Sequence, residues 1–157
     1  DVYEKVLVEE VALHKLTPDV TAPKAQMDEK KKEEKARILV AEDDIDMRTL
    51  VYRLLENMGY AVTLAEDGID ALLQLGKSEY DLIISDVNMP ELDGFRLLEM
   101  KNQKGIKTPV IFLTSRISLE DEKRGFELGA LDYLTKPIQK EKLLTRVKNV
   151  IKKQKIC

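Results

Sequence analysis

Four places in the 157-residue chain carry side chains suited to chemistry: Glu42-Asp43-Asp44, Asp86, Thr114-Ser115 and Lys136-Pro137. Each follows, directly or one residue later, a short apolar run: Ile38–Ala41, Leu82–Ile84, Pro109–Leu113 and Leu131–Leu134. Any one of them has an ordinary explanation, since Asp44 or Asp46 suits a helix cap, Thr114 a turn and Lys136 a surface charge. Taken together, acids, a hydroxyl and a lysine at four strand ends form a complementary set. Carboxylates brought together repel unless one is protonated or a cation sits among them. Magnesium fits such a place, because it takes oxygen ligands, commonly one or two carboxylates, and keeps positions for water and phosphate oxygens. A transition metal would need imidazole or thiolate. The single histidine, His14, and the single cysteine, Cys157, fall outside these runs. An acidic magnesium site beside a lysine can hold a phosphoryl group, whose charge the two cations spread. Asp86 is then the candidate nucleophile for an aspartyl phosphate.

Elements must position these residues, and the pattern from Ile38 onward supplies them. Short apolar runs alternate with amphipathic segments, the signature of strand–helix units around a parallel sheet. The first strand, Ile38–Ala41, leads to a helical stripe through Met47, Leu50, Val51, Leu54 and Leu55 that stops near Gly59. The second strand spans Tyr60–Ala65, and Asp67-Gly68 opens a helix carrying Ile69, Leu72, Leu73 and Leu75. The third strand, Leu82–Ile84, precedes a helix around Phe95, Leu97, Leu98 and Met100. The fourth, Pro109–Leu113, precedes a helix over Leu119–Leu128 closed by Gly129. The fifth, Leu131–Leu134, precedes a final helix through Leu143, Leu144, Val147, Val150 and Ile151 with a basic tail. Right-handed crossovers then cover both sheet faces, which predicts a three-layer α/β/α sandwich. In an open parallel sheet, ligands bind beyond the carboxyl ends of the strands, where these polar residues fall.

Residues 1–36 read differently. Val2–Leu16 is a loose amphipathic helix ended by Thr17-Pro18, and Met27–Arg37 is almost entirely charged, so the expectation is a helical segment and solvated linker before a domain at 37–157. The chain starts with Asp1, which suggests a fragment of something longer. Acidic and basic residues number 29 and 26, a near balance that argues against direct nucleic-acid binding. No apolar stretch approaches the roughly 18–20 residues of a membrane span, and no signal order opens the chain, so the expectation is a soluble, cytoplasmic protein without membrane insertion. Cys157 alone builds no disulfide framework.

At its polar residues the sequence resembles the response-regulator receiver family over about residues 37–154. The likeness rests on Ile-Leu-Val-Ala-Glu42-Asp43-Asp44, Leu-Ile-Ile-Ser-Asp86-Val-Asn-Met89-Pro90, Gly94, Phe-Leu-Thr114-Ser115, Gly-Ala130-Leu-Asp-Tyr133 and Lys136-Pro137. The resemblance implies a flavodoxin-like five-stranded parallel sheet of order 2-1-3-4-5. It implies Mg²⁺ held by Glu42, Asp43, Asp86 and the backbone carbonyl of Asn88, with Glu42 a common variant at its place. It implies phosphorylation of Asp86 by a sensor histidine kinase or phosphotransfer protein. Thr114 would bond the phosphoryl oxygen, Lys136 would neutralise it, and Thr114 and Tyr133 would move on activation. Asn88 and Arg116 would tune phosphoryl lifetime, and the Lys136-Pro137 bond would be cis. The fourth helix, fifth strand and fifth helix would form the output face, also the face of a homodimer. The effector would be fused upstream or separate.

Rival readings differ in testable ways. A pseudo-receiver would keep the fold as an interaction module without phosphotransfer. Phosphatases that use an aspartyl phosphate carry a second aspartate two residues after the nucleophile, where this chain has Asn88. No Gly-rich nucleotide loop follows any strand. His14-Lys15-Leu16-Thr17-Pro18 faintly resembles a kinase phosphoacceptor box but is one residue short. Val8–Thr17 slightly resembles the extreme C-terminus of type II/IV secretion ATPases, which would place the receiver behind a motor.

Overall fold

The computed structural model describes residues 35–115 and 118–156. The Val2–Leu16 segment, the linker up to Glu34, His14, Arg116 and Cys157 lie outside the described residues. In chain order the elements are β1 (Arg37–Ala41), α1 (Ile45–Asn57), β2 (Ala61–Ala65), α2 (Gly68–Lys77) and β3 (Leu82–Asp86). They continue with α3 (Gly94–Gln103), β4 (Val110–Thr114), α4 (Leu119–Glu127), β5 (Asp132–Thr135) and α5 (Lys140–Ile156). All strand pairs are parallel and the order is β2-β1-β3-β4-β5.

Alternation along the strands sorts their side chains to two cores. Ile38 and Val40 of β1 join Ile84, Ile111 and Leu113 against Val51 and Leu55 of α1 and Leu143, Val147 and Ile151 of α5. Leu39 and Ala41 join Ile83 and Phe112 against Leu75 of α2 and Phe95, Leu97 and Leu98 of α3. Because helices cover both faces, β3 and β4 are buried at every position, and β1 after Arg37. The edge strand β2 is only half-buried until Ala65.

The expected architecture stands, with local differences. Leu50, Ile69 and Leu73, assigned to apolar helix stripes, are exposed. The core face of α1 runs through Val51 and Leu55 and that of α2 through Ala71 and Leu75. Neighbouring residues on a helix lie about 100° apart, so Leu50 beside Val51 falls off that face. The fifth strand starts one residue late: Leu131 is exposed, and pairing with β4 begins at Asp132 opposite Ile111. Tyr60 likewise stays outside β2.

Helix starts follow local hydrogen-bond chemistry. Asp44, Asp67, Asp93 and Ser118 cap α1, α2, α3 and α4, each side chain accepting from a backbone N–H of the first turn. The consequence for function is positional. The loops leaving β1, β3, β4 and β5 all emerge at one edge of the sheet.

Candidate functional site

The reversal of winding at β1, whose neighbours β2 and β3 lead in opposite directions, opens a crevice at the carboxyl ends of β1 and β3. Glu42 follows β1, with its N–H donating to the Ala65 carbonyl at 3.1 Å, and its side chain is buried. Asp86 closes β3 and is 7 % exposed, whereas Asp43 stands exposed. One carboxylate oxygen from each of Glu42, Asp43 and Asp86 lies within 4.8 Å of the others.

Lys136 stands between the two buried acids. Its ammonium lies 2.9 Å from Glu42 Oε1 and 3.1 Å from Asp86 Oδ2. The contact with Asp86 is a hydrogen bond, while the approach to Glu42 Oε1 is an ion pair outside hydrogen-bond alignment, leaving that buried oxygen without an aligned donor. The other carboxylate oxygens have directed partners: Asp44 N–H donates to Glu42 Oε2 at 3.0 Å and Asn88 N–H to Asp86 Oδ1 at 3.3 Å. Burial pushes the Glu42 carboxyl above its usual range, and Asp86 adds to that push against the relief given by Lys136 and the Asp44 amide. Burial alone would lower the Lys136 ammonium, but its close pairing with the Glu42 and Asp86 carboxylates outweighs it and raises the group.

One ammonium among three carboxylates leaves net negative charge in a partly desolvated crevice, a costly arrangement without a further cation. All donors here are hard oxygens, and Glu42 Oε1 has no aligned hydrogen. This donor set suits magnesium and lacks the nitrogen or sulfur a softer ion prefers.

The remaining expected residues reach the same edge. Thr114 ends β4 fully buried, one residue beyond Leu113, the register partner of Asp86. Its carbonyl accepts the Lys136 N–H at 2.9 Å, and the Lys136-Pro137 peptide is cis. Asn88 is exposed in the loop after β3. Tyr133 sits on β5 opposite Phe112, and its hydroxyl donates to the carbonyls of Asp121 at 3.1 Å and Glu122 at 3.3 Å on α4. Burial, aided by the nearby charges of Glu122 and Asp121, pushes its phenol up to about 12.

Three supporting residues, Gly94 among the motif positions quoted above, carry no assigned role in the sequence. Arg48, in the first turns of α1, donates to the carbonyl of Glu42 at 2.8 Å and of Asp43 at 3.5 Å, clamping the acidic loop. A basic residue just after an acidic loop is its only signal in sequence. The buried Ser85 hydroxyl donates to the Asp86 carbonyl at 2.8 Å, and its alternation within an apolar strand marked it weakly. Gly94 opens α3 with its N–H on the Val87 carbonyl at 2.8 Å. A Cβ there would stand 2.5 Å from the Asp86 carbonyl oxygen and 3.0 Å from Val87 Cα. Since backbone would have to move, Gly94→Ala should cost about 1–3 kcal/mol of stability, read from urea unfolding. An unchanged midpoint would show that the loop yields freely.

Comparison with known proteins agrees with this arrangement. The family model of the response regulator receiver domain matches residues 38–148. A transcriptional regulatory protein, CiaR of Streptococcus pneumoniae, is 39 % identical over 117 residues, covering 74 % of this chain and 52 % of that protein. DltR of Streptococcus agalactiae, also a transcriptional regulatory protein, is 38 % identical over 112 residues, covering 71 % of this chain and 50 % of its own length. The chain thus spans about half the length of the curated relatives it matches. Among solved structures, the chemotaxis protein CheY4 of Vibrio cholerae is 38 % identical with a TM-score of 0.70, covering 74 % of this chain and 99 % of that one. A Francisella response regulator receiver domain is 37 % identical with a TM-score of 0.72, covering 76 % and 98 %. Among the described residues no helix is long and apolar enough to cross a membrane. Family model, relatives and sheet topology together place the chain in the response regulator receiver domain family, the signalling switches of two-component systems.

Proposed function

We propose that this receiver accepts a phosphoryl group on Asp86 from a histidine kinase or phosphotransfer protein and switches conformation to control an output. The observation that carries the reading is the Lys136 ammonium bridging two buried carboxylates beside a third. Such a cluster is poised to gain a cation and a transferable anion together. Mg²⁺ would be held by Glu42, Asp43, Asp86 and the Asn88 carbonyl. When bound, it neutralises the carboxylates and the phosphoryl oxygens, as divalent ions do in phosphoryl transfer generally.

The chain's own residues set the reaction up. Asn88 N–H on Oδ1 and the Lys136 ammonium on Oδ2 fix the plane of the Asp86 carboxylate before a donor arrives. In the transfer, an Asp86 oxygen forms the new O–P bond as the P–N bond of a phosphohistidine breaks, and the departing imidazole nitrogen keeps the electron pair. Lys136 then offsets charge on the phosphoryl oxygens, and the Thr114 hydroxyl bonds one of them. Phosphorylation thereby favours the conformer in which Thr114 moves toward Asp86 and Tyr133 follows. Asn88 and Arg116 flank the phosphoryl group and tune how fast water removes it.

Domain roles follow the same reading. Residues 37–157 form the receiver. Its output face, and the contact of a homodimer, is α4-β5-α5. The relatives' designation as transcriptional regulators fits an effector fused to the receiver or acting separately, in a cytoplasmic pathway.

Magnesium titration by calorimetry, followed by acetyl phosphate with and without magnesium, tests the proposal. Expected are saturable magnesium binding and a gain of one phosphoryl mass that chelator abolishes. A chain that binds no magnesium and gains no mass would be a pseudo-receiver.

A further inference from the structure

We infer that Gly125 is a positioning residue: it forms the seat that holds Tyr133 against α4, and so sets how far the receiver is switched before any phosphoryl group arrives. The inference rests on the reading of Tyr133 as a switch residue given above.

Gly125 lies inside α4 and is buried. A glycine in a helix interior is less favourable than any residue but proline, so a buried one usually has a packing reason. Here the reason is visible. A Cβ at position 125 would stand 1.8 Å from the Tyr133 hydroxyl oxygen, 2.9 Å from Cζ and 3.1 Å from Phe95 Cε1. The phenol therefore occupies the space that every other residue type would fill.

The seat has three further walls. The hydroxyl donates to the carbonyls of Asp121 and Glu122, one turn earlier on the same helix. Phe126 meets the ring edge-on with centroids 5.1 Å apart. Phe112 lies on the sheet side, tilted, at 5.5 Å. The high phenol pKa agrees with a hydroxyl removed from water and facing the acidic first turn of α4.

The seat also connects to the site. Phe112 is the register partner of Tyr133, and Thr114, two residues further along β4, projects from the same sheet face. In the switching proposed above, Thr114 moves toward Asp86 and a ring leaving α4 follows along the same sheet face into the place it vacates. Tyr133 seated on Gly125 and Thr114 in its present place therefore belong to one state. Filling the seat destabilises that state more than the other, which is free of the clash with Tyr133.

The test uses the full chain labelled with 3-fluorotyrosine, with the Tyr133 signal identified by its loss in Tyr133→Phe. Without any phosphodonor, the Tyr133 fluorine resonance of Gly125→Ala should shift toward the position that the native protein reaches with acetyl phosphate and magnesium. Its initial phosphorylation rate should rise several-fold. A resonance that stays in place, or moves with no change in rate, overturns the inference. Thermal melts guard against a folding defect. Gly125→Ala should lower the unfolding midpoint with Tyr133 present and lower it much less in a Tyr133→Ala background, where only the 3.1 Å approach to Phe95 Cε1 remains. Equal shifts in the two backgrounds would also overturn it. If acetyl phosphate labels the native protein yet leaves the Tyr133 resonance unmoved, the reading of Tyr133 as switch fails and takes the inference with it. If that resonance moves while Gly125→Ala does nothing, the inference alone fails.

Discussion

Asp86→Asn removes phosphoryl uptake from acetyl phosphate by a factor on the order of 10³ or more, the scale on which loss of a nucleophile acts. The amide keeps the shape of the side chain, so the fold should survive with a similar circular dichroism spectrum. Stability reflects two opposed changes. Asp86 pairs with Lys136 at 3.1 Å, and that attraction is lost. Asp86 also repels Glu42, one of the influences that hold the Glu42 carboxyl high, and that repulsion is lost as well. Urea unfolding without magnesium should therefore change by less than about 1 kcal/mol, while the stabilisation gained from added magnesium should fall. Phosphoryl uptake retained by Asp86→Asn would remove Asp86 from the role.

Lys136→Met should give the largest loss of stability among single changes at the site. It leaves Glu42 and Asp86 buried near each other with no ammonium between them. Removing one partner of a buried ion pair commonly costs 3–5 kcal/mol, and the partial exposure of Lys136 puts about 2–4 kcal/mol here at neutral pH without magnesium. The pH dependence has a definite sign. A carboxyl whose folded pKa exceeds its unfolded value binds more protons in the folded state, so stability falls as pH rises through that interval. Glu42 is such a group already, raised above 4.5 by burial, and losing Lys136 removes one of the influences that lower it. The deficit of Lys136→Met should therefore shrink as pH falls from neutral toward 5, and shrink on adding magnesium at neutral pH. Lys136 has the same sign in a higher range: its contribution in the native protein is complete below 10.5 and lost as pH rises through its raised value. Urea unfolding of both proteins at several pH values, with and without magnesium, measures all of this. A deficit independent of pH and magnesium would mean that Lys136 acts through packing of its alkyl stem.

The residues that carry these effects were legible in sequence because parallel strands buried on both faces read as uninterrupted apolar runs. The first polar residue after such a run marks the strand's carboxyl end. That logic located Glu42 and Thr114 directly, and Asp86 and Lys136 one residue further on. It did not distinguish the buried Glu42 from the exposed Asp43, since adjacent residues after a strand are sorted only by the tertiary turn. Leu50 and Leu73 misled for a related reason: composition shows that a helix is apolar, while neighbouring elements decide which face is covered. Arg48, Ser85 and Gly125 act through carbonyl contacts and close approach, which leave almost no mark on residue pattern. Arg116 lies outside the described residues, so its tuning role stands on resemblance.

Chemistry at the acidic edge can be read at the level of a single residue. After brief treatment with acetyl phosphate and magnesium, borohydride reduction turns an aspartyl phosphate into homoserine, and peptide mass mapping finds where. Homoserine is expected at position 86, dependent on magnesium. Homoserine at Asp43 or another acid, or none in a chain that binds magnesium, would contradict that assignment.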